Sequence, residues 1–145
     1  MRLTFPSLAE IAAGPEELLW TDASALTMEN LRAAYRAGIF PWPSFAGAPI
    51  PWCSPDPRAV LVFSEITLGR TLEKTLRRGV FTFSIDRAFS DVIAACAAAP
   101  RPGQDGTWIA PAVIEAYTAL HREKIAHSVE VWRGEKLVGG LYGVD

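Results

Sequence analysis

Five aromatic residues, Tyr35, Trp42, Trp52, Trp108 and Tyr117, are the side chains whose type and placement could do chemistry in this chain. All fall near loop or helix-entry positions, from which they could converge on one cleft or simply fill a core. As core residues they bury large area; as a site they stack on a flat ligand, each stacked base being worth about 1–3 kcal/mol. Four cations, Arg70, Lys74, Arg77 and Arg78, share one side of an amphipathic stretch. Read plainly they form a solvated outer face, and read as a site they contact phosphates. Stacking aromatics beside a basic helix are the combination expected of a reader of a single-stranded RNA end.

Other chemistry finds little support. His121 and His127 are the only histidines, and neither has a partner by motif. His121, late in a helix, complements its C-terminal dipole, and His127 opens a strand. The sequence contains no G-x-S-x-G, no phosphate-binding glycine loop, no H-E-x-x-H and no G-x-G-x-x-G. Cys53 and Cys96 are too few and too ill-spaced for zinc, so neither a metal nor a cofactor is expected. A small-molecule acetyltransferase is disfavoured because no glycine-rich pyrophosphate loop opens a helix. The net charge of −2 argues against gripping nucleic acid by overall charge, and leaves a local basic face open.

The elements that must position these side chains are punctuated by proline and glycine. Thr27 to Ala37 reads as a helix with Leu31, Ala34 and Tyr35 on one face and Gly38 as its stop. Residues 38–58, GIFPWPSFAGAPIPWCSPDPR, hold Pro41, Pro43, Pro49, Pro51, Pro55 and Pro57. Such a run predicts an extended, pre-ordered path that neither a helix nor a central strand could hold. AVLVF from Ala59 suits a buried strand, and Leu68 to Arg78 a helix with Leu68, Leu72 and Leu76 opposite the four cations. FTFSI alternates like a strand, and Asp86 is placed to cap a helix with the stripe Phe89, Val92, Ile93 and Cys96. A loop then delivers Trp108 to a helix with Pro111 in its first turn and Val113, Tyr117 and Leu120 at helical spacing. HSVEVW and LVGGLYGV form a hairpin turning at Arg133 to Lys136, with Gly139 and Gly140 marking a bulge or a close backbone approach.

At 145 residues, half of them hydrophobic, the chain is one domain or two small lobes with a globular core. No apolar run reaches the roughly 18 residues of a membrane span, and the N-terminus lacks the apolar stretch of a secretory signal. The expected compartment is the cytoplasm, with no membrane partner.

Taken in order, AAYRAGIFPW, PWCSPDPRAVL, GTWI, EAYTALHR, AHSVEVW and LVGGLYGV resemble the leucyl/phenylalanyl-tRNA–protein transferase family from about Leu31 to Val144. FPW followed by SPDPRA is the specific part. The resemblance implies a bacterial cytoplasmic aminoacyltransferase, expected to act as a monomer. It moves Leu or Phe from aminoacyl-tRNA onto the N-terminal Arg or Lys of acceptor proteins and so marks them for degradation. It implies an α+β fold, with a small N-terminal lobe (1–58) and an incomplete acetyltransferase-like mixed sheet with flanking helices (59–145). Trp42 and Trp108 match positions that hold the terminal adenosine of the tRNA, Tyr35 and Tyr117 match nearby aromatics, and Leu141 matches the aminoacyl side-chain pocket, where relatives often carry methionine. The basic helix face is then a contact for tRNA phosphates. In the family, a G-E-S-M-F-type segment and a D-x-Q strand follow and carry the catalytic residues, which are expected beyond Asp145. The chain therefore reads as a fragment or truncated frame, expected to be inactive alone, and a non-catalytic binder of RNA 3′ ends is the alternative. Cys53 and Ala110 depart from the residues common in relatives.

Overall fold

The computed structural model describes residues 1–14, 17–42, 48–100, 102–103 and 107–145. Pro43 and much of the loop before Trp108 lie outside the described residues. Helix α1 (Leu8–Ala13) and strand β1 (Glu17–Thr21) precede α2 (Met28–Arg36), then β2 (Phe40–Pro41) and β3 (Ile50–Cys53). These are followed by α3 (Arg70–Arg77), β4 (Thr82–Ile85), α4 (Phe89–Ala98), α5 (Pro111–Arg122), β5 (Ala126–Arg133) and β6 (Lys136–Val144). The fold is α+β. Its two three-stranded sheets have the orders β1-β3-β2 and β4-β5-β6, and every described pair is antiparallel, so the parallel pairing of a mixed sheet is not seen among the described residues. No described helix is long and apolar enough to cross a membrane.

Helix α2 starts where its sequence says it should, because the Thr27 side chain accepts from the Asn30 N–H, and it stops at Gly38, whose φ of 73° suits glycine. Asn30 is buried and ties down the N-terminal arm, accepting from Leu3 N–H at 2.8 Å and donating to the Met1 and Ala25 carbonyls at 3.0 Å. One hydrophobic cluster unites Leu31, Ala34, Ile39, Ile50 and Trp52 with Phe89, Ile93, Ile109, Val113, Tyr117 and Leu120. Trp52 is wholly buried, packs on Phe5 at 5.2 Å and donates from its indole to Thr21 Oγ1 at 2.9 Å, so it belongs to the core.

Three expectations are corrected. The proline-rich segment does form strands, and β3, containing Pro51, is the central one. Pro51 offers its carbonyl to the Trp42 N–H at 2.9 Å. A strand residue's N–H and C=O point to the same side, so the donor proline lacks would face the end of the two-residue β2 rather than β1. Residues 59–62 form no strand; Val60, Leu61 and Val62 are exposed and a 3₁₀ turn follows at Phe63–Glu65, because no strand among the described residues pairs with the run. Asp86 does not cap α4. It takes a positive φ of 58° and turns its carboxylate to the Ser128 N–H and the His127 ring, leaving α4 without a local side-chain cap.

Candidate functional site

Trp42 leaves β2 directly, and Trp108 stands just ahead of α5, where its carbonyl accepts from the Ala110 N–H at 2.9 Å. Their indoles stack at a centroid distance of 5.9 Å with 14° between planes. Trp42 is 52% exposed, and Trp108 is half-buried. Below them, Tyr35 on α2 and Tyr117 on α5 bring their hydroxyl oxygens to 2.6 Å. Tyr117 meets Trp108 edge-on at 6.4 Å and Tyr142 edge-on at 5.8 Å, the geometry that ring quadrupoles favour. With Phe40 and Leu141 these rings line a cleft of about 360 Å³. The structure thus brings Tyr35, Trp42, Trp108, Tyr117 and Leu141 into one place.

The electrostatics of the cleft are those of a neutral surface. Burial pushes the Tyr117 hydroxyl far above the ordinary phenol range, and the neighbouring Tyr35 and Tyr142 push it further. Burial also raises Tyr35, partly offset by its bond to Tyr117. Both are therefore hydrogen-bonding groups at neutral pH and not bases. No carboxylate, imidazole or ammonium lines the cleft among the described residues. Such a site can bind and orient a planar, partly apolar ligand, and has little with which to exchange protons.

The four cations lie elsewhere. Arg70, Lys74 and Arg78 line a shallow groove on exposed α3 with Thr71 and Thr75, whereas Arg77 turns to Glu73, 3.2 Å away. None of them reaches the aromatic cleft. The two histidines are also outside it. His121 donates toward the Ala126 carbonyl at 2.9 Å and stacks on Phe89 at 4.2 Å, while His127 binds Asp86 at 2.7 Å. The sequence reading missed two rings of the cleft, Phe40 and Tyr142. Phe40 leans on Trp42 at 5.6 Å, and its place in the F-P-W run was the available signal. For Tyr142 the signal was the period-two placement beside Gly140 on one face of β6.

A cleft of neutral stacking rings on an α+β scaffold has the shape and polarity to suit a flat, partly apolar group. The comparisons with known proteins are more specific. The family model described as leucyl/phenylalanyl-tRNA protein transferase matches residues 60–145, and the one for that protein's N-terminal domain matches 24–56. Relatives with the name leucyl/phenylalanyl-tRNA–protein transferase include those of Anaeromyxobacter sp. strain Fw109-5 and Nitratidesulfovibrio vulgaris strain DP4. Each is 51% identical over 140 residues, covering 97% of this chain and 57% and 58% of the relatives. The relative from Flavobacterium johnsoniae is 45% identical over 143 residues, 99% of this chain and 66% of its own length. The chain belongs to the leucyl/phenylalanyl-tRNA protein transferase family, a family of transferases, and spans somewhat over half the length of most of these relatives.

Proposed function

We propose that this chain supplies the adenosine-binding part of an aminoacyltransferase that moves Leu or Phe from aminoacyl-tRNA to the N-terminal Arg or Lys of acceptor proteins, tagging them for degradation in the cytoplasm. The observation that carries the reading is the Trp42–Trp108 stack at the mouth of a cleft with Leu141 on its wall. The terminal adenine of the tRNA stacks on the indoles, and Leu141 contributes to the pocket for the aminoacyl side chain. A leucine here keeps the volume and apolarity of a methionine. Arg70, Lys74 and Arg78 hold phosphates further along the tRNA, where charge rather than shape is needed.

The reaction suits a site poor in acids and bases. The aminoacyl ester is already activated, and an α-amino group with a pKa near 7.7–8.0 is partly neutral at cellular pH. Positioning then supplies most of the acceleration. Selection of Leu and Phe over smaller side chains rests on pocket shape, worth about 1–3 kcal/mol per misplaced methylene. The test is titration of the chain with a non-hydrolysable 3′-phenylalanyl-adenosine analogue. Trp42→Ala weakening binding at least fivefold with unchanged far-UV circular dichroism supports the reading; unchanged affinity for both Trp42→Ala and Trp108→Ala overturns it.

A further inference from the structure

The aromatic cleft is neutral, but a nucleotide at the end of an RNA is not. Its base is joined through the ribose to a 5′-phosphodiester, and stacking rings hold the base without meeting that charge. The cations of α3 line a groove of their own and do not reach the cleft, so the phosphate of a base seated at Trp42 needs a nearer partner. Arg58 stands where that partner is needed. Its guanidinium carbon lies 5.4 Å from the centre of the Phe40 ring, and Phe40 both lines the cleft and leans on Trp42 at 5.6 Å. Taken end to end, these two steps put the charge no more than about 11 Å from the centre of the Trp42 ring, at the rim of the cleft and not on its wall. Two other arginines lie over rings, Arg87 over Trp132 at 4.7 Å and Arg133 over Phe81 at 5.1 Å, and neither ring belongs to the cleft.

The side chain is held in place. Its Nη2 donates to the Gly38 carbonyl at 2.7 Å, and the Ser54 hydroxyl donates to the same oxygen at 3.2 Å, which ties residues 54–58 to the end of α2. The Phe40 ring adds a cation–π contact on a second side. One hydrogen bond leaves four of a guanidinium's five N–H donors uncommitted, and Arg58 makes no ion pair with any carboxylate among the described residues. It is also exposed, so an incoming anion meets it from solvent. A planar charged fork, pre-ordered and with donors to spare, is what bidentate recognition of a phosphate uses.

We propose that Arg58 binds the 5′-phosphate of the nucleotide whose base stacks at Trp42, an inference that rests on the reading of the cleft as an adenosine site. The contact supplies what the neutral rings lack, a means of preferring the end of a polynucleotide over a free nucleoside. It also orients the ligand. A ribose carries its 5′ and 3′ substituents on opposite sides, so a phosphate held at the Phe40 rim directs the 3′ ester into the cleft, whose wall includes Leu141. The Gly38 carbonyl and Phe40 fix the guanidinium from α2 and β2, the elements that also carry Tyr35 and lead into Trp42, so phosphate and base are read from one rigid corner.

The test titrates the full 145-residue chain with two probes, a non-hydrolysable 3′-phenylalanyl-adenosine analogue and the same analogue carrying a 5′-methyl phosphate, which supplies the single charge of a phosphodiester. The expected result is about tenfold tighter binding of the phosphorylated probe, abolished by Arg58→Ala, with affinity for the unphosphorylated probe kept. Arg122→Ala, which removes an exposed cation from α5, leaves the gain in place. Circular dichroism verifies the fold, and Arg58→Gln carries the same comparison if the alanine variant does not fold. A gain below about threefold in the parent chain overturns the inference and leaves the adenosine reading standing. A gain that survives the loss of Arg58, or that Arg122→Ala removes equally, overturns it as well. Equal weakening of both probes by Arg58→Ala makes the residue a strap that shapes Phe40, and also overturns it. If neither probe binds the parent chain, the adenosine reading itself fails and the inference falls with it.

Discussion

The Glu130 carboxylate, fully buried on β5, accepts the backbone N–H groups of Ala88 and Arg87 at 3.2 and 3.4 Å and so caps the entry of α4 from across the sheet. The hydroxyls of Ser84 and Ser128 donate to the same carboxylate. Burial pushes the carboxyl up, but the four hydrogen bonds outweigh it and hold the group below the usual carboxylate range. A depressed carboxyl stabilises the fold above its unfolded pKa, and that contribution is lost as pH falls through the folded value. Glu130→Ala takes the acceptor from four donors, two backbone N–H groups and two hydroxyls, and is expected to cost about 1–3 kcal/mol or more in urea unfolding at pH 7. The deficit relative to the parent chain should shrink as pH falls below the ordinary glutamate value of about 4.3 and through the lower folded one.

Gly140 and Gly139 are adjacent and opposite in what they tolerate. A Cβ on Gly140 would stand 2.9 Å from Val92 Cγ2 and 3.1 Å from the Val129 carbonyl oxygen, and the carbonyl belongs to the paired strand and cannot yield. On Gly139 the nearest atom is Val131 Cβ at 3.7 Å, an ordinary contact. Gly140→Ala is therefore expected to destabilise by about 1–3 kcal/mol and to lift α4 from β6, whereas Gly139→Ala stays within about 0.5 kcal/mol. Thermal melts of the two variants side by side decide it.

Asp86 and His127 form a pair with a pH window. The hydrogen bond from His127 lowers Asp86, aided by the Ser128 N–H, and the same bond to Asp86 raises His127. His121 and Asp145 face the pair at 3.7 and 3.8 Å. The His127 contribution is present in full below its unfolded pKa near 6.5 and is lost as pH rises through its higher folded value. The Asp86 contribution is present above about pH 4 and is lost as pH falls through its lower folded value. His127→Gln should remove the decline on the alkaline side and lessen the one on the acid side, since His127 is the main cause of the lowered Asp86, read as a flatter denaturation midpoint against pH above about 6.5.

What could be read from the sequence follows how local each cause is. Helix α2, with Thr27 before it and Gly38 after it, is specified within a dozen residues and lies where the pattern puts it. The aromatic cleft was legible as a set of rings, because Trp42 and Trp108 lie at loop positions that no core stripe accounts for. Asp86 was misread because its local role as a cap lost to partners on β5 some forty residues away. The role of Glu130 was invisible for the same reason. The run from Ala59 has the composition of a strand but pairs with none among the described residues, and composition alone says nothing of the neighbour.

The basic groove should act through salt-dependent affinity and not through base recognition. Each phosphate contact contributes a slope of about 0.7–0.9 in log affinity against log salt. Arg70→Ala, Lys74→Ala and Arg78→Ala together are expected to lower the slope for tRNA by about 2 while leaving affinity for the aminoacyl-adenosine analogue unchanged. Arg77→Ala, whose guanidinium already meets Glu73, should change the slope by less. Filter binding from 50 to 200 mM salt gives the comparison.

The Trp42–Trp108 spacing makes a sharper demand. A base held between two rings at van der Waals separation needs about 7 Å from ring to ring, and the indoles are 5.9 Å apart at 14°. Because the ring planes are no further apart than their centroids, insertion of adenine must open the pair by at least about 1 Å, or the base stacks on the outer face of Trp42. The more exposed Trp42 is the one free to move, because Trp108 is also held edge-on by Tyr117. Trp42→Phe should keep most of the affinity for the 3′-phenylalanyl-adenosine analogue, and Trp42→Ala should lose about 1–3 kcal/mol with little change in melting temperature. Trp108→Ala should lose both binding and stability, since it also removes a ring from the edge of the core. If sandwiching is correct, Trp108→Ala weakens binding at least as much as Trp42→Ala. Outer-face stacking would instead leave the Trp108 variant's affinity near that of the parent chain once its lower stability is accounted for by working well below its melting temperature.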